Sequence, residues 1–362
     1  MLKKVLALIV VLSLVLSLAG CSLFGKGDYY SSEYEYLDDT SDKEDEPVEV
    51  YKTNPLTGIK NLTDDNINNR PVAVMINNIK PAQSVQTGLN SADIIYETEV
   101  EGGITRLMAV FKDFNSVGQL GSVRSARYPY VDLALGHDAI YVHCGQDPTY
   151  CAPHLKDIDD MSVDSGSTGA KRIKNGLASE HTLYVFGSEL WPALASKFKS
   201  TVSSNTLWQN FAAEDEKVTL SGGGAIKVTV PFPSLKTIFE YDDTTGLYTR
   251  YSNTDLRKDY VTGENITVKN VFVLLTTITT YPDGKHRRVA LTGGDGFYAT
   301  NGTVTPIKWQ KNGERAPIKI TDQNGGQIKV SAGRSWVCIP NSSTCKPVFE
   351  APQPTTTTSS NS

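Results

Sequence analysis

Hydrophobic positions fall into three regimes along the chain. They are nearly continuous from Val5 to Leu18, almost absent from Ser22 to Val50, and arranged in short runs between turn-forming residues from Asn54 onward. In the third regime, Arg70-Pro71 precedes Val72-Ala73-Val74-Met75-Ile76, a β-branched run of strand length stopped by Asn77-Asn78. Asp93 to Glu97 and Thr105 to Phe111 predict two more strands around a turn at Gly102-Gly103. Ala126 to Leu135 carries helical spacing and stops at Gly136, while Ala139 to His143 and Leu183 to Phe186 return to strand character. A further helix is expected to start at Ser188-Glu189, with Pro192 inside its first turn, and to run to Phe198.

Past Ser221-Gly222-Gly223-Gly224 the pattern becomes one of hairpins. Ala225 to Val230, Thr237 to Tyr241, Leu247 to Tyr251 and Val271 to Thr280 are β-prone, with turn signals at Asp242 to Gly246, Asn301-Gly302 and Asn324-Gly325-Gly326. The fold class expected is α+β: a mixed α/β N-terminal domain, residues 54–221, followed by a mostly antiparallel β C-terminal domain, residues 222–349. Residues 350–362, rich in Pro, Thr and Ser, are expected to be a disordered tail.

The first fifty residues add an address. Lys3 and Lys4, the apolar run, and Ala19-Gly20 before Cys21 have the order of a secretory signal, and the run is about fifteen residues where a spanning helix needs roughly 20. Leu18-Ala19-Gly20-Cys21 resembles a bacterial lipobox, which implies that residues 1–20 are removed and that Cys21 is lipidated. Residues 21–53 are dominated by Asp, Glu, Ser and Tyr, too poor in aliphatic side chains to offset ordering entropy, and are expected to be a disordered tether. The chain would then stand lipid-anchored on the outer face of the cytoplasmic membrane.

Net charge is −5 and no basic stripe with interleaved aromatics is present, which argues against a nucleic-acid partner. No Walker or dinucleotide glycine loop occurs, so neither a nucleotide nor another cofactor is expected. Beyond Cys21 the cysteines fall into two pairs of equal spacing, Cys144/Cys151 and Cys338/Cys345, as expected of disulfides in an exported protein. Free buried thiols are an alternative. So is a metal held by His143, Cys144, Cys151 and His154, but that spacing fits no standard zinc pattern, and no metal is expected.

The stretches Asn54 to Gly58, Arg70 to Asn78, Ala92 to Glu97, Glu101 to Phe111 and Gly121 to Arg127 resemble the YerB-like lipoproteins. The resemblance implies a two-domain bacterial envelope protein of unassigned function and brings no catalytic residues with it. It is looser after Gly222, where Gly294 to Tyr298 and Pro317 to Ile320 match in outline. Pro81 to Gly88 lacks the Arg-Pro-Gln run that the resemblance leads one to expect, and the Cys144/Cys151 pair stands outside the family pattern.

Two constellations carry chemistry. Glu97, Glu99 and Glu101 alternate and would share a strand face, as a solvated face, an ion-pair partner or an acid–base set. Arg106, Arg124 and Arg127 are expected to converge with Glu97 and Glu101 nearby, Arg124 and Arg127 at a helix N-terminus where an anion is favoured. Wall-polymer phosphates or carboxylates, or an acidic protein surface, would fit; an internal Arg–Glu network is the competing reading. The function expected is a lipid-anchored binding or scaffold protein that organises cell-wall metabolism through a protein or wall-polymer partner. A cell-wall enzyme, either a carboxylate hydrolase or a cysteine transpeptidase using Cys144, is the alternative.

Overall fold

The computed structural model describes residues 51–198 and 206–352. The signal segment, Cys21, the acidic stretch to Val50 and the tail from residue 353 lie outside the described residues.

The described chain is mostly β and is built on one sheet of ten strands. In chain order these are β1 (Val72–Asn77), β2 (Ile94–Glu99), β3 (Thr105–Phe111), β4 (Ile140–His143), β5 (Asp160–Ser162), β6 (Asn270–Leu274), β7 (Gly293–Thr300), β8 (Thr303–Gln310), β9 (Lys319–Thr321) and β10 (Ser335–Ile339). Their spatial order is β9-β8-β7-β6-β10-β2-β3-β1-β4-β5. Parallel pairing joins β6 to β10, β10 to β2, β1 to β4 and β4 to β5, and β3 lies antiparallel between β2 and β1. Seven strands drawn from both halves of the sequence, β1, β2, β4, β5, β6, β8 and β10, therefore point the same way.

Both faces of this sheet are covered, which is why β1 reads as an unbroken apolar run rather than an alternation. One face, with Val72, Val74, Ile76, Ile95, Leu107 and Trp336, packs against a second sheet that includes Val228, Val230, Phe239 and Tyr248. That second sheet has only one buried face, and its strand Lys227–Pro231 alternates in and out accordingly. The opposite face, with Ala73, Met75, Tyr96, Met108, Val110 and Val337, packs against helix α2 (Tyr128–Leu135). Helix α1 (Lys80–Gln83) follows β1, and α3 (Gly187–Lys197) buries Leu190 and Leu194 on the first face.

The disulfide expectation does not hold: the four described cysteines are free thiols. Cys151 belongs to the core on the α2 face, whereas Cys144 packs against the core on the other side of the sheet. Cys338 is fixed inside β10 opposite Glu97 and Val273, and Cys345 follows in a turn whose N–H bonds the Asn341 carbonyl. Equal spacing along a chain does not set the direction of the Cβ atoms, and a disulfide requires that direction.

Candidate functional site

Strands that run the same way present their C-terminal ends at one edge, the place where ligands settle in open sheets of this kind. Here that edge carries Asn77, Glu99, His143 and Asn341, together with Arg106 at the start of the antiparallel β3. Gly102 and Gly103, at φ +66° and +72°, turn the chain from β2 back into β3, a conformation open to glycine. A Cβ on Gly103 would also stand 2.9 Å from the Pro233 side chain.

Three carboxylates that alternate in sequence part company here, because β2 ends at Glu99 and a 3₁₀ turn begins at Glu101. Glu97 is fully buried on the first face. Its oxygens accept from Asn78 Nδ2 and Trp336 Nε1 at 3.0 Å, Thr105 Oγ1 at 2.9 Å and Thr237 Oγ1 at 3.0 Å. Arg250 Nη2 lies 3.8 Å away, and its guanidinium stacks over Trp336 at 4.6 Å. Glu99 faces Arg287 at 3.9 Å; burial pushes its carboxyl upward while Arg287 opposes the rise. Glu101 takes a hydrogen bond from Arg127 Nε and lies 3.3 Å from His286 Nε2. Burial raises the Glu101 carboxyl, but the bond and charge of Arg127 outweigh it and hold the group below its ordinary range.

The register explains why Glu97 stands apart from the arginines. Arg106 pairs with Thr98, so its side chain leaves the opposite face of the sheet from Glu97. There Arg106, 5% exposed, donates to the Ser125 carbonyl at 2.6 Å. Its guanidinium is pushed down to about 10, first by burial and then by the like charge of Arg127, with Glu101 opposing and Arg124 adding to the depression. Arg127 is the N-cap residue of α2. Arg124, anchored by its backbone between Met75 and Cys144, reaches Glu180 at 3.5 Å, and its buried Nε has no partner. The three arginines and Glu101 are thus brought together, and Glu97 is not.

The sequence gives no hint of the other wall. His286, next to the strand Arg287–Val289, places Nε2 3.1 Å from Asp147 and contacts Asp283 through Nδ1. Backbone N–H groups of Tyr150, Cys151 and Thr149 outweigh burial and hold the Asp147 carboxyl low. Tyr150 stacks on Tyr281 at 3.8 Å. Asp147, Tyr150, Tyr281 and His286 line one small cleft together with Glu99, Glu101, Arg127 and Arg287.

Other side chains and loops that could carry chemistry have structural surroundings. His143 bonds Asp160 Oδ2 at 3.0 Å and the Gly145 carbonyl at 2.8 Å, so both ring nitrogens are engaged away from a thiol. Tyr298, Trp309 and Trp336 are core side chains rather than an exposed aromatic platform. Gly293 to Gly296 are part of β7.

A profile for the N-terminal domain of a protein of unknown function, DUF3048, matches residues 56–201, and that for the DUF3048 C-terminal domain matches residues 228–337. The chain is 29% identical over 307 residues to "Putative lipoprotein YerB" of Bacillus subtilis (strain 168), covering 79% of this chain and 85% of that protein. It also matches the crystal structure of YerB protein from Bacillus subtilis with a TM-score of 0.66 at 27% identity, covering 81% of this chain and 98% of that one.

Proposed function

We propose, from the premise that the chain belongs to the YerB-like family with its DUF3048 N- and C-terminal domains, that it is an envelope lipoprotein that binds an anionic wall polymer at Arg106, Arg124 and Arg127. The lipid on Cys21 holds it to the outer face of the cytoplasmic membrane. The tether is the segment before Tyr51, since Lys52–Thr53, expected within it, pair as a strand with Lys60–Leu62, and the regions 54–221 and 222–349 form the body that organises wall metabolism. The observation that supports this reading is a charge imbalance. Three guanidiniums converge at one sheet edge, but Glu101 is shared with His286 and Glu180 stands 3.5 Å from Arg124 at the surface. Arg106 donates to a neutral carbonyl, and a buried Arg124 nitrogen is unpartnered. A phosphate or carboxylate can take two parallel bonds from a guanidinium and would complete the set. A hydrolase using the strand carboxylates has less support, because Glu97 is closed off by five donor side chains.

The test is cosedimentation of the purified protein with isolated cell walls, with and without their phosphate polymers. Arg124→Ala should weaken wall binding at least about tenfold without loss of folding, as expected when a charge-assisted contact is removed. Binding that survives phosphate removal but not the substitution identifies wall carboxylates. Arg106→Ala, Arg124→Ala and Arg127→Ala variants that fold and bind walls like the wild type overturn the reading, as does a wild type held only by an acidic protein.

A further inference from the structure

Helix α2 carries Asp132 one turn after its first residue, 6% exposed. Tyr128, one turn earlier on the same helix, bonds the Asp132 carboxylate, yet Asp132 Oδ1 is buried and without a partner. A carboxylate oxygen taken out of water and left unmatched is costly, so its presence calls for a further donor or a cation. Two groups approach from different parts of the chain. His154, in the 3₁₀ turn His154–Asp157, packs its ring on Tyr128 at 4.5 Å, and Glu314 comes from the loop after β8. One ligand atom from each of Asp132, His154 and Glu314 lies within 4.8 Å of the other two.

We propose that Asp132, His154 and Glu314 form a binding site for one divalent transition-metal cation of the zinc class. One imidazole nitrogen and two carboxylate oxygens suit such an ion better than magnesium or calcium, which prefer oxygen ligands throughout. Three protein ligands leave the fourth tetrahedral position to water. Bonds of about 2.1 Å put tetrahedral ligand atoms about 3.4 Å apart, so the set must draw in by about an ångström. Glu314 is exposed, and rotation of its side chain supplies that movement, while Asp132 and His154 are held by Tyr128. Lys311 is the competing counter-charge. Its ammonium donates to the carbonyls of Gly313 and Glu314, which fixes the loop that presents the Glu314 carboxylate. The site joins the N-terminal helix to the C-terminal β-region and is independent of the arginine cluster.

The experiment is a competition titration of Zn²⁺ into the full, metal-free chain in detergent against a chromophoric chelator. Mg²⁺ and Ca²⁺ serve as comparison ions, and Cys144→Ser removes the partly exposed thiol as a rival ligand. One Zn²⁺ per chain is expected in the wild type and in Cys144→Ser, with affinity at least about tenfold weaker in Asp132→Asn and His154→Gln and a smaller loss in Glu314→Gln. His154 is only half-buried, so His154→Gln is informative even if Asp132→Asn misfolds. Absence of stoichiometric Zn²⁺ binding, unchanged affinity in His154→Gln, or loss of binding in Cys144→Ser overturns the proposal. The first of these outcomes would leave Lys311 as the counter-ion of Asp132.

Discussion

At the scale of single residues, the interior holds two opposite charges side by side. Glu97 and Arg250 are both fully buried, one from β2 and the other from the strand Leu247–Ser252, and Trp336 lies against both. Burying one of these charges without the other leaves a desolvated ion, so Arg250→Ala should lower unfolding stability by roughly 3–5 kcal/mol in denaturant titrations. A loss below about 1 kcal/mol would show that the pair is not coupled. Asp93 gives a pH dependence. It is 8% exposed, accepts from Asn54 Nδ2 at 2.9 Å and Lys112 N at 2.6 Å, and is pushed up to about 6, chiefly by burial. The folded state therefore holds a proton that the unfolded state releases between about pH 3.8 and 6. The Asp93 contribution to stability is lowest above pH 6 and rises, by at most about 3 kcal/mol, as pH falls through that window. Asp93→Asn should remove this component, so the wild-type-minus-variant difference in melting temperature should rise as pH falls from about 6 to 3.8. Sequence made Glu97 and Arg106 visible as charges on a predicted turn-linked pair of strands. It could not supply Arg250, more than a hundred positions away, nor the register that sends Arg106 and Glu97 to opposite faces.

At the scale of elements, legibility followed coverage. β1 and β3 were readable because sheets buried on both faces need continuous apolar runs, and α2 because its apolar spacing ends at a glycine. Ser335-Trp336-Val337-Cys338-Ile339 is equally buried yet gives no distinct signal in the sequence, since a five-residue run between polar segments resembles any loop anchor. Val271 to Thr280 read as one strand and is two, interrupted after Leu274. The last helix begins at Gly187, one residue earlier than expected, and the reason lies in packing. A Cβ there would come within 2.0 Å of the Phe114 carbonyl and 2.6 Å of that of Val117. These are backbone atoms, so Gly187→Ala must displace α3 rather than a side chain. It should cost about 1–3 kcal/mol, against the small gain that Ala normally brings to a helix. A thermal melt at or above wild type would show that α3 shifts freely.

At the scale of the whole molecule, the decisive feature is that the central sheet does not respect sequence order. β10, from near the C-terminus, lies parallel to β2, pairing Ser335 through Ile339 with Ile94 through Thr98, and links it to β6. The two regions matched by the family profiles thus contribute neighbouring strands to one sheet. Without residues 222–349, the edge of β2 that pairs with β10 would lose its hydrogen-bond partners, and Glu97 would lose Trp336, Thr237 and Arg250 together. Asn54, near the start of the described residues, is 1% exposed and bonded to Asp93, and the acidic sequence before Tyr51 is poor in apolar side chains that could add to the core. Cleavage upstream of Tyr51 should therefore leave the melting transition unchanged. Cutting the chain near Gly222 should not. Residues 54–221 expressed alone are expected to show no cooperative melt and to bind a dye for exposed apolar surface, and addition of residues 222–349 should restore a single transition. If 54–221 melts by itself at the temperature of the full chain, β10 is an accessory strand and the two regions are separable folding units. If the fragments fold only together, the arginine edge and the Asp132 cluster, each built with contributions from both regions, exist only in the joined sheet.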